Sequence, residues 1–107
     1  MGFLTENAGQ FTQALNQVDD VLEQSRPVDK KTDELLRFAL SIKARSAPCV
    51  RKHYRGSLAA GASEQELAWV FALTMREAAG ADDCWTHSVI SDLTGGEADA
   101  SCGDGCG

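Results

Sequence analysis

The chain has 107 residues, 43% apolar and 24% charged, which suits one soluble domain with a modest core and argues against a disordered chain. No apolar run approaches the roughly 20 residues that span a bilayer, and Met1–Asn7 has neither a basic nor a long apolar stretch, so neither a membrane partner nor a secretory leader is expected. The expected location is the cytoplasm, where cysteines stay reduced and serve as core fillers, ligands or catalysts. A net charge of −6 argues against nucleic acid as a partner. Nine of the ten basic residues fall in 26–55 against Asp29, Asp33 and Glu34, so that segment is +6 and the rest −12. Such a segment is either a solvated basic face pairing with acidic helices or a positive field that favours thiolate and small anionic substrates.

Leu4, Ala8, Phe11, Leu15, Val18 and Leu22 recur at helical steps and predict an amphipathic helix over about 5–25, its stripe serving as core or subunit interface. Arg26-Pro27 ends it. Asp29 or Thr32 caps a second helix to about 45, with Leu35, Leu36, Ala39, Leu40 and Ile42 apolar. Ser46-Ala47-Pro48 interrupts the chain, and Pro48 fits the first turn of a third helix over about 48–60, stopped by Gly61. Ser63 and Glu66 form a capping box that opens a fourth helix, closed by Gly80. Asp82 or Asp83 caps a fifth, with Trp85, Val89, Ile90 and Leu93 facing inward until Gly95-Gly96. No alternating strand pattern occurs, so the fold class is all-α: one domain of about five helices over 1–96, followed by a Gly/Cys-rich tail over 97–107.

Cys49 and His53 are four apart on the third helix, so they share a face. Cys49 lies in the first turn, where unpaired backbone N–H groups and the positive end of the macrodipole favour a negative sulfur. Lys43, Arg45, Arg51 and Lys52 add to that field. A thiolate is a nucleophile, and a neighbouring imidazole can take or return its proton. The alternative is a buried cysteine with an unrelated surface histidine. Tyr54, one position on, is a candidate pocket residue.

The stretch Asp29–Ala72 resembles the carboxymuconolactone decarboxylase family, which includes the AhpD-like alkyl hydroperoxidases. The family pattern is a glutamate, eleven residues, Cys-x-x-Cys, three residues and a histidine, followed by a small-residue helix, Gly-Ala-Ser and an acidic helix start. This chain has Glu34, Ser46-Ala47-Pro48-Cys49, His53, Ser57–Ser63 and Glu64-Gln65-Glu66-Leu67 at those spacings. The resemblance implies an all-helical subunit assembled as a homotrimer or homohexamer and a redox role on hydroperoxides, with no cofactor. It assigns Cys49 as the attacking thiol, His53 as its proton partner and Glu34 as a relay carboxylate.

The first cysteine of the pair is Ser46 here, so the internal disulfide of the family's dithiol cycle has no second thiol. Cys84, Cys102 or Cys106 could resolve an oxidised Cys49, or an external thiol reductant could recycle it. Alternatively the site is a non-redox decarboxylase-type one, with His53 as acid/base on an anionic substrate held by Arg45 or Arg51. Glu34 lies fifteen residues before Cys49, and eleven helical residues span roughly 16 Å. A simple hairpin therefore sets Glu34 against the far end of the third helix, and reaching His53 calls for a wider crossing, a kink or a neighbouring subunit. A separate reading joins Cys84 and His87 with Cys102 and Cys106 as zinc ligands of a metal-binding accessory module, the Gly-rich loop letting them converge.

Overall fold

Five capping arrangements fix the central part of the chain. In the computed structural model, which describes residues 2–95, Asp29 accepts from the Thr32 N–H at 2.7 Å and starts helix α3 (Lys30–Lys43). At its end Arg45 takes the left-handed conformation (φ 57°) where glycine is usual. The Ser46 N–H then reaches the Ser41 carbonyl and the Arg45 N–H that of Ile42, the paired bonds of a Schellman turn. The chain reverses at once into α4 (Ala47–Ala59), with Ser46 as N-cap and Pro48 in the first turn. Gly61, at φ 100°, ends α4 as its position in the sequence suggests. Both halves of the Ser63–Glu66 capping box form and open α5 (Glu64–Thr94).

The helices α3, α4 and α5 pack together, α3 and α4 most closely. Small residues make that approach possible: Gly56 lies against the Glu34 carboxyl, and Ser57 is the most deeply buried side chain, at 0% exposure. Phe38, Ala62 and Leu67 form the apolar core, and the Phe38 ring sits tilted against Tyr54 at 6.5 Å. The Lys31–Glu66 ion pair, at 2.9 Å, ties the start of α3 to the first turn of α5.

Two boundaries differ from the sequence expectation. The first helix is split into α1 (Phe3–Asn7) and α2 (Gly9–Ser25), breaking at Ala8 just before a glycine, the weakest helix former after proline. The expected fourth and fifth helices are one, α5, running through Gly80 to Gly95 (φ 76°). A lone glycine costs a helix only about 1 kcal/mol, and the alanines around it sustain the turn. Five helices and no strand occur among the described residues. No helix there is long and apolar enough to cross a membrane.

The inward stripe expected for the last helix does not face a core. Trp85 is 70% exposed and Leu93 80%, and Val89 and Ile90 are also open. The stripe on α2 is similarly open, from Phe11 to Leu22. Among the described residues α2 packs against α1 alone, and it meets α3 through charge: Lys30 lies 3.7 Å from Glu23, and Asp19 acts on Arg37.

Candidate active site

The α3–α4 hairpin brings together the three residues that the spacing singled out. His53 and Glu34 meet directly, with His53 Nδ1 2.9 Å from Glu34 Oε2 and both side chains nearly buried. The contact forms within one chain, without a second subunit. Glu34 does face the far part of α4, where its carboxyl touches Gly56, and it reaches back one turn along α4 to the imidazole. An alanine Cβ at Gly56 would stand 2.5 Å from Oε2, so the missing side chain there is what leaves room for the pair.

A carboxylate can only accept, so the shared proton belongs to Nδ1–H and Nε2 is the nitrogen left for chemistry. Lys30 Nζ lies 3.3 Å from the other oxygen, Oε1. Burial pushes the Glu34 carboxyl up, but the hydrogen bonds from His53 and Lys30 outweigh it and hold the group below the ordinary glutamate value. It is thus an anchored anion beside the ring.

Cys49 is a free, exposed thiol in the first turn of α4. It lines, together with His53, an open cavity of about 280 Å³ whose other walls are Arg37, Leu40, Ser41, Ala44 and Ser46. Ser46 takes part there as a helix cap, its Oγ accepting the Cys49 N–H at 3.4 Å. The Ser46 hydroxyl thus holds the backbone of Cys49. Arg37 brings a cation to the wall and is bound to Asp33 at 3.0 Å. Sequence reasoning missed Arg37; its place four residues after Asp33 and three after Glu34 on a helix was the available signal.

Tyr54 is not part of this wall. One position along a helix turns the side chain by about 100°, and its hydroxyl instead donates to Glu64 Oε1 at 2.8 Å, at the start of α5. Arg45, Arg51 and Arg55 do not line the cavity either, so neither candidate anion holder, Arg45 or Arg51, is on its wall. Cys84 is half-buried on α5 and does not line the cavity. Cys102 and Cys106 lie outside the described residues, so the tail thiols and the four-ligand zinc set with Cys84 and His87 do too.

An all-α chain with a carboxylate-anchored imidazole and an exposed thiol one turn apart on a hairpin defines a thiol–imidazole class of site. Residues 9–81, more than half of the chain, match the family described as the carboxymuconolactone decarboxylase family, and the chain belongs to that family. No curated protein and no solved structure matches it in the same comparisons.

Proposed function

We propose that the protein is a single-thiol hydroperoxide reductase within its family. The observation that supports this most is that His53, held by Glu34 from behind, lines an open cavity together with the exposed Cys49. Nε2 of His53 takes the Cys49 proton, and the resulting imidazolium is stabilised by Glu34. The thiolate attacks the terminal oxygen of a hydroperoxide, the O–O bond breaks, and Cys49 becomes a sulfenic acid. The departing alkoxide takes the proton back from His53 and leaves as alcohol. With Ser46 unable to resolve the sulfenic acid, an external thiol attacks it, releasing water and leaving a mixed disulfide. A second molecule of that thiol then regenerates Cys49 and leaves as the reductant's disulfide.

A non-redox reading has one observation in its favour: the cap hydroxyl of Ser46 leaves the site with one thiol, while His53, Glu34 and Arg37 suffice for acid/base work on an anion. Cys49→Ser and His53→Ala separate the two. Loss of thiol-dependent peroxide consumption in both variants supports the reductase. Full activity of Cys49→Ser on a lactone or keto acid, with none in His53→Ala, transfers the site to the decarboxylase branch.

A further inference from the structure

Arg37 stands on the wall of the thiol cavity, and its ion pair leaves much of its guanidinium unused. The Nε–H donates to Asp33 Oδ1 at 3.0 Å, and neither terminal nitrogen makes a hydrogen bond among the described residues. Asp33 has other cations for its charge, with Lys30 3.4 Å and Arg26 3.9 Å away. Asp19 and Glu34 act on Arg37 through space. A guanidinium is a planar fork that takes a carboxylate by two parallel hydrogen bonds. Here one corner of the fork is anchored and the terminal edge is open.

The rest of the wall offers that edge no competitor. It holds no carboxylate: Leu40 and Ala44 are apolar, Ser41 donates its hydroxyl to the Phe38 carbonyl at 2.7 Å, and Ser46 caps α4. Ala44, Ser46 and Cys49 lie at the turn end of the hairpin, whereas Arg37 is seven residues back along α3 from Ala44, about 10 Å along the axis. A small molecule in this cavity of about 280 Å³ can thus meet Cys49 with one end and the guanidinium with the other, its apolar middle lying on Leu40 and Ala44. A molecule without an anionic end would cover a half-buried cation and give it no acceptor, which is unfavourable.

We infer that Arg37 sets the substrate class of the site, an assignment that rests on the reductase reading: the substrate is an organic hydroperoxide with a carboxylate at the far end of an apolar stem. The carboxylate sits on the terminal nitrogens of Arg37, and the peroxide lies at Cys49. Arg37 acts in binding and leaves the chemical step to Cys49 and His53. A neutral hydroperoxide reacts by the same step but is held less tightly.

The test compares cumene hydroperoxide with its para-carboxylate, which differ in the anionic group alone, in single-turnover oxidation of the reduced full chain. The wild type half-saturates with the carboxylate at a concentration roughly 10- to 100-fold lower, at a similar limiting rate. Arg37→Gln removes the difference by weakening the carboxylate alone, Arg37→Lys keeps part of it, and Arg55→Gln, exposed on the same hairpin and off the wall, keeps all of it. The wild-type comparison needs no variant, so a misfolded Arg37→Gln cannot hide the answer. Equal half-saturation in the wild type, or a preference that persists in folded Arg37→Gln, overturns the assignment while peroxide is still consumed and the reductase reading stands. A folded wild type that consumes neither hydroperoxide removes the reductase reading, and this assignment with it.

Discussion

The two helices of the α3–α4 hairpin and helix α2 are of similar length and amphipathicity, yet the hairpin is closed by its own chain and α2 is not. In the hairpin a Schellman turn, a serine cap and two small residues bring the helices close enough for a buried carboxylate to hold an imidazole. In α2 the stripe is as regular, but among the described residues only the short α1 packs against it. Close approach, set by Gly56 and Ser57, distinguishes the two. Periodicity supplies an apolar face; only local steric detail decides whether the same chain can use it.

That contrast can be broken at several points. The largest effect falls on the reacting atoms: Cys49→Ser abolishes peroxide-dependent oxidation of the protein, and His53→Ala slows it by roughly 10²–10⁴-fold, both measured by stopped-flow peroxide consumption. Gly56→Ala tests the close approach itself. Its Cβ would occupy the place of the Glu34 carboxyl, so the peroxide rate should drop as far as in Glu34→Gln. Its melting temperature should change little, because the gain of about 1 kcal/mol in helix propensity offsets the lost contact. A drop in rate with retained fold separates a positioning role from a structural one.

Acid sensitivity is a smaller effect with a definite sign. Glu34 is held below its ordinary value of 4.5, so its contribution to stability is present above that pH and is lost as pH falls through the lower folded value. Glu34→Gln should therefore flatten the decline of stability below pH 4.5 in urea melts, leaving the share due to Asp33, which is lowered likewise by Arg37 and Lys30 against its burial. The smallest effect belongs to Arg45. Replacing this left-handed residue by glycine should raise stability by about 0.5–1 kcal/mol, since the strain relieved exceeds the entropy glycine adds to the unfolded chain.

The sequence made much of the hairpin legible because its signals are local. The Asp29 cap, Pro48, Gly61 and the Ser63–Glu66 box each act within four residues, and the structure has all of them. The spacing singled out Glu34, Cys49 and His53, and the structure sets Glu34 against His53 and His53 beside Cys49 on one cavity. What the sequence did not disclose was the register of α3 on α4, because that depends on how closely two helices pack, and hence on Gly56 rather than on any charged residue. The Gly80 stop was misjudged for the opposite reason. A glycine ends a helix only where the chain adopts positive φ, and Gly80 lies within α5, while Gly95 does adopt it. The inward direction assigned to Trp85 and Leu93 failed because an apolar stripe does not say whose surface covers it.

The most direct test of the central claim is mass spectrometry of Cys49 after a brief exposure of reduced protein to hydroperoxide in the presence of a dimedone-type trap. The expected result is a sulfenic-acid adduct on Cys49 in the wild type and a strong decrease in Glu34→Gln, with the fold retained in both. An unlabelled Cys49 in the folded wild type, or equal labelling in the two proteins, would contradict it.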